Sequence, residues 1–294
     1  MNSEIDHGPR RVIALGRDLH RHGSIPPAFT YAAYLKLSSL VGIYRLGDSE
    51  HVRPAEQHPP GGRILSTVTV EEEDQKLEDA TPQEIIEFAI GRFEPSKIAL
   101  ACSFGAEDVA LVDMVSKITD EIQVFSLDTG FLFWETEETQ RRLSDRYNLS
   151  FEVVHPELSI MAQAEKHGRQ LYLSDPGACC NLNKVVPLEQ TLAKYDAWIT
   201  GIRRDQAPTR ANSPNFTWDE RFGLYKFNPL VRWTEDEVWD YIQANDVIYN
   251  PLHDRGYPSI GCAPCTKAVA PGEDPRSGRW AAFEKTECGL HADS

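Results

Sequence analysis

The chain has 294 residues and a formal charge of −15, from 30 basic and 45 acidic side chains. At 41% hydrophobic and 26% charged residues it has a globular composition. A net field of that sign repels polyphosphate, so no nucleic-acid partner is expected, although a local group of arginines can still hold a small anion. No apolar run reaches the roughly 20 residues of a membrane helix; the nearest, residues 31–44, is interrupted by Lys36. The opening Met1-Asn-Ser-Glu-Ile-Asp6 is acidic where a secretory signal is basic. The expectation is a cytoplasmic protein with no membrane contact.

Residues 1–68 read as a weakly ordered N-terminal extension. Up to Arg63 there are eight basic and six acidic residues, which leaves the remainder at about −17, and the stretch ends in the turn-rich His58-Pro-Pro-Gly-Gly62. A second reading places the natural start near Val68 or Val70. The main domain, 69–294, opens clearly at Thr81-Pro82-Gln83-Glu84, a capping box with proline at the first helical position, and the apolar period runs to Phe93. Strands are then predicted over 97–103, 123–128, 150–155 and 197–202, with helices over 106–118 and 133–147. Such alternation predicts an α/β fold, a parallel sheet with helices on its faces and ligands at the carboxyl ends of its strands. The last forty residues are rich in Gly, Pro and Cys and predict a loop-rich region with a mobile tail from about 270 to 294.

Three strand ends carry chemistry. Ser103-Phe-Gly105-Ala-Glu-Asp108 opens a helix, where backbone N–H groups and the dipole can receive an anion. It is not a Walker loop, because no Lys-Ser/Thr pair follows the glycine. Leu127-Asp128-Thr129-Gly130 offers a carboxylate and a hydroxyl for a ribose or adenine edge, or simply a capped turn. Arg203, Arg204 and Arg210 follow the fourth strand, and Arg276 and Arg279 form a second basic group. Guanidinium pairs bidentately with phosphate or sulfate; a solvated basic loop is the plainer alternative.

Six cysteines in a reducing compartment indicate thiol or metal chemistry rather than a disulfide framework. Cys179 and Cys180 are adjacent, and eighty-one residues (181–261) separate them from Cys262-Ala-Pro-Cys265. Four soft ligands suffice for an iron–sulfur cubane or a tetrahedral zinc, and the adjacent pair favours separate iron atoms. A thioredoxin-like redox pair at Cys262 and Cys265 is the third possibility. Cys102 falls inside an apolar strand. Cys288 lies seven residues from the end, in Glu287-Cys-Gly-Leu-His291, where His291 could favour its thiolate; an incidental tail cysteine is the plainer alternative.

Taken in order, Ser103–Asp108, Leu127–Gly130, Cys179-Cys180 with Lys184, Thr200-Gly-Ile-Arg203, Gly261-Cys-Ala-Pro-Cys-Thr266, Gly278-Arg-Trp280 and Glu287–His291 resemble the adenylylsulfate/phosphoadenylylsulfate reductase family, in particular its assimilatory adenylylsulfate reductases. The resemblance runs from roughly Thr81 to His291. It implies a Rossmann-like, adenine-nucleotide alpha-hydrolase-like fold and a [4Fe-4S] cluster on Cys179, Cys180, Cys262 and Cys265. It also implies nucleophilic attack by Cys288 on adenylyl sulfate, with Lys184 between cluster and substrate. Ser103, Gly105, Asp128, Thr129, Gly130, Arg203, Arg210, Arg276 and Arg279 become the substrate-binding candidates. Only 29 residues follow Cys265, so a separate thioredoxin or glutaredoxin-like reductant is the expected partner, with a homo-oligomer allowed. Many members have Arg where Asn183 stands and Ser where Ala207 stands. A phosphoadenylyl sulfate or dual-specificity reductase is the near alternative. A PP-loop ATP pyrophosphatase or tRNA-thiolating enzyme is the distant one, disfavoured by Phe104 and Ala106.

Overall fold

The computed structural model describes residues 67–281 together with 283, 285, 289 and 290. Residues 1–66 of the N-terminal extension, Cys288 and His291 lie outside the described residues.

Three short N-terminal elements lead into the sheet: α1 (Thr67–Lys76), α2 (Pro82–Arg92) and β1 (Ile98–Ala101). The boundary expected at residue 68 falls in the first turn of α1. Val70, directly before its acidic run, and Leu77, just past the helix end, enter the core. The capping box at Thr81 forms as predicted: Thr81 accepts from the Glu84 N–H, and the Glu84 carboxylate accepts from Thr81 N–H at 2.7 Å.

Helix α3 (Ala106–Ile118), strand β2 (Gln123–Leu127), helix α4 (Trp134–Tyr147) and strand β3 (Glu152–Val154) complete the predicted alternation. Four short helices follow, α5 (Ile160–His167), α6 (Leu171–Ser174), α7 (Pro176–Cys180) and α8 (Val186–Leu192), with a π turn at Asn181–Val185 between the last two. Then come β4 (Ala197–Ile199), β5 (Phe216–Asp219), β6 (Leu224–Phe227) and α9 (Glu235–Ala244).

The sheet order is β3-β2-β1-β4-β6-β5. Every neighbouring pair is parallel except β5 with β6. Chain progression reverses between β1 and β4, so the crevice above those two strands is the topological switch point. β1 and β4 are buried almost throughout, as parallel strands covered on both faces must be. One face packs Ile85, Ile86, Val109 and Val112 against the sheet, and Phe216 stacks on Phe227 at 4.7 Å. Asp113, buried in α3, accepts from Tyr147 of α4 at 2.8 Å and Tyr241 of α9 at 2.6 Å, and pairs with Lys117 at 2.7 Å. That carboxylate fixes α3, and with it the turn at its N-terminus.

Candidate functional site

A cavity of about 600 Å³ opens above the carboxyl ends of β1, β2 and β4, a size suited to a nucleotide-sized ligand. Ser103, Gly105, Thr129, Lys184 and all four arginine candidates, Arg203, Arg210, Arg276 and Arg279, line it, as does Arg204. Asp128 and Gly130 do not. Asp128 caps its own turn, accepting from Gly130 N–H at 2.8 Å and standing 3.4 Å from His155. Gly130 takes φ +71, and a side chain there would meet Ile160.

The turn after β1 is strained. Phe104 is buried with φ 63, a left-handed conformation that bulky residues rarely adopt. It is held because Ser103 gives both its N–H and its hydroxyl to Asp108 Oδ2, each at 2.6 Å. Gly201, at the exit of β4, makes room: a Cβ there would lie 2.3 Å from Asp108 Oδ1. Burial lifts the Asp108 carboxyl to about 6, with Glu107 adding to the rise and the Ser103 bonds and Arg210 opposing it. Because the folded value exceeds the unfolded value near 3.8, the native state holds the extra proton between the two. Stability from this group therefore falls as pH rises from 3.8 to about 6. Urea titrations across that window should show the wild type losing stability relative to Asp108→Asn as pH rises; parallel profiles would refute the assignment.

The arginines differ in what they already hold. Arg203 is buried, with Nε donating to Glu107 at 2.9 Å and Nη1 to Asp205, so most of its charge is answered within the protein. Arg210 donates to Gln206, whose own amide donates to Glu107 at 2.9 Å. Arg279 is placed differently. Its Nη1 donates to Ser259 Oγ and the Ile260 carbonyl, both at 3.1 Å, its Cζ lies 4.5 Å from the Trp280 ring centroid, and its buried Nε has no partner. Gly261 permits this pose, since a Cβ there would stand 2.3 Å from Arg279 Nη2.

Behind the cavity lies a second, small pocket of about 20 Å³, bordered by Cys179, Cys180, Cys262 and Cys265. Lys184, Thr129 and Arg279 border both spaces. Proline at the start of α7 and an Asp175 cap set the helix that ends in the double cysteine. Among the described residues no three His, Cys, Asp or Glu side chains are gathered as a single ion would require. Burial, with help from the neighbouring sulfurs, pushes the Cys179 thiol up to about 11. Cys265 is raised mainly by burial too, against the pull of Lys184 and Arg279. Thr129 Oγ1 stands 3.3 Å from Cys262 Sγ. Cys102 is a buried core residue.

The tail returns to this region. Lys285 Nζ donates to the Pro176 carbonyl at 3.3 Å. Arg221 on the β5–β6 turn donates to the carbonyl of Gly289, which takes φ +83. Leu290 packs on the cluster containing Phe125, Leu188 and Trp198 and lines the larger cavity. These contacts flank position 288 on both sides. Arg221 was not singled out from sequence, and Gly261 only as the first residue of the Gly261–Thr266 stretch.

Sheet and crevice together define an α/β protein of the nucleotide-fold type, with cationic side chains facing the switch point. The phosphoadenosine phosphosulfate reductase domain model matches residues 97–268, and the chain belongs to that family. It is 47% identical over 225 residues to adenosine 5'-phosphosulfate reductase of Halalkalibacterium halodurans, covering 76% of this chain and 97% of that protein. It is 46% identical over 231 residues to phosphoadenosine 5'-phosphosulfate reductase of Gloeobacter violaceus, covering 78% and 95%. The crystal structure of phosphoadenylyl-sulfate reductase from Candida auris, a phosphate complex, superposes with a TM-score of 0.63 at 30% identity over 71% of this chain and all of that one.

Proposed function

We propose that this chain is an adenylyl-sulfate reductase of sulfate assimilation, releasing sulfite and AMP with electrons from a thioredoxin or glutaredoxin-like dithiol. The observation that carries the reading is a cavity at the switch point lined by Lys184 and the arginines and bordered by Leu290, two positions beyond Cys288. Kinship supports it, since relatives at 46–47% identity bear that name. The Gloeobacter relative keeps the 3'-phosphorylated substrate as a second reading. Competing the two sulfonucleotides at equal concentration separates the two.

The chemistry follows from a nucleophilic thiolate at Cys288. Cys288 Sγ attacks the sulfate sulfur, an S–S bond forms, and the S–O bond to the phosphate breaks with its electron pair going to AMP. Arg279 and Lys184, which border the cavity, would receive the charge that develops on the leaving phosphate. The donor's first thiolate then attacks Cys288 Sγ and expels sulfite with the bonding pair. Its second thiol resolves the mixed disulfide, so two electrons pass from dithiol to sulfur. The tail must close for the first step and open for the second.

The four thiols around one small pocket fit a [4Fe-4S] cluster better than zinc. A cubane gives each cysteine its own iron, so it needs no single-ion grouping. Bound there, it would supply fixed electrostatics beside the sulfate. Lys184 and Arg279, which border both spaces, would couple the two.

Mass spectrometry of the protein mixed with adenylyl sulfate and no reductant is the direct test. A gain of one SO₃ on the tail peptide is expected; an unmodified tail would overturn the reading.

A further inference from the structure

Behind the cysteine helix, two buried amides form a closed pair. Gln163 of α5 and Asn183 of the π turn are 4% and 2% exposed, and each donates to the other's carbonyl oxygen, at 2.6 and 3.0 Å. Gln163 Nε2 also donates to the Leu158 carbonyl at 2.9 Å. Asn183 Nδ2 donates to the Cys179 carbonyl at 2.9 Å and reaches Cys179 Sγ at 3.5 Å.

The direction of this chain is not arbitrary. A backbone carbonyl can only accept, so Leu158 fixes which end of the Gln163 amide faces it. That leaves Gln163 Oε1 as acceptor and its second N–H as donor toward Asn183. Asn183 must then present Oδ1 to Gln163 and NH₂ toward Cys179. Flipping either amide would bury two donors or two acceptors face to face, at a cost of the order of an unmade hydrogen bond at each group. The second Asn183 N–H, shared between the Cys179 carbonyl at 2.9 Å and Sγ at 3.5 Å, thus faces that sulfur as a donor whatever its state. A thiol can accept weakly, whereas a metal-bound thiolate accepts well.

We infer that Gln163 and Asn183 are positioning residues for the cofactor: a polarity-locked relay from the Leu158 carbonyl that holds Cys179 as an acceptor and stabilises iron bound to it. The inference rests on the cluster reading above and deepens it. Removing comparable outer hydrogen bonds around metal ligands typically weakens metal retention by about 10–100-fold.

The test uses the full chain purified anaerobically, with iron and sulfide content, the sulfur-to-iron charge-transfer band and the rate of iron release to a chelator as readouts. Asn183→Leu is expected to shift the band and speed release by about tenfold or more. Gln163→Leu, which never touches the sulfur, should move both in the same direction by less. Asn183→Asp, which replaces the donor by an acceptor, should be worst. A thermal melt on each variant identifies any that fails to fold, and Gln163→Leu then serves as the remote reporter. Should the wild type hold iron while all folded variants keep its band and its release rate, the relay is overturned and the cluster stands. A wild type that binds no iron removes the cluster reading and this inference with it.

Discussion

Cys288→Ser is expected to end sulfite release, by about 10⁴-fold or more, while leaving AMP binding close to wild type. A serine hydroxyl is far less acidic and less nucleophilic than a thiolate, and it cannot form the sulfur–sulfur adduct from which a dithiol later displaces sulfite. Binding should survive, because the described cavity wall is built from Ser103, Thr129, Lys184 and the arginines. Calorimetry with AMP alongside a sulfite assay separates the two effects. Turnover within tenfold of wild type would move the nucleophile elsewhere in the chain.

Arg279→Ala is expected to lower kcat/KM by about 10²–10³-fold, the range for loss of one preorganised group at a site of developing charge. Arg279 borders both the cavity and the cysteine pocket and carries a buried Nε with no partner, so its donors are not all used within the protein. Arg203, by contrast, is held by Glu107 and Asp205, and its removal should act as much through lost packing and an unpaired Glu107 as through substrate. Arg279→Lys should recover only part of the loss, since an ammonium cannot reproduce the planar contact with Trp280 or the paired bonds to Ser259 and Ile260. Gly261→Ala offers a control that keeps the charge and displaces the guanidinium. If Arg279→Ala proved as active as wild type, the cation assisting the leaving phosphate would have to be another.

Much of this was legible in the sequence because local rules act locally. Thr81 with Glu84 specified a helix start, and the apolar runs around Leu100, Val124, Val153 and Ile199 specified four parallel strands. The elements that were not legible are those whose reasons lie far away in the chain. The β5–β6 hairpin mixes Trp218, Asp219, Tyr225 and Lys226 in strands of four residues, too short for a period to show. Helix α1 is polar enough to pass for a linker until Phe216 N–H is seen donating to Asp74 at 2.9 Å, 142 residues away. The same holds at the site. Cysteine and arginine types announce soft-ligand and anion chemistry by themselves. Whether an arginine is free for a ligand depends on carboxylates such as Glu107, whose proximity no spacing reveals. Asp128 shows the converse: a carboxylate at a strand end suits a ribose, yet here it closes its own turn.

The two cysteine pairs sit on either side of β4, β5, β6 and α9 in the chain, with eighty-one residues (181–261) between them. A cluster bridging them would therefore close a long loop, and closing a loop removes freedom mainly from the unfolded chain. Assembly in that order is late by topology, since half the sheet must already have brought the distant thiols together. Loss of iron would then be felt as a loosening of the β4–α9 half and not only as a change at the sulfurs. Chelation followed by hydrogen exchange would read it there first.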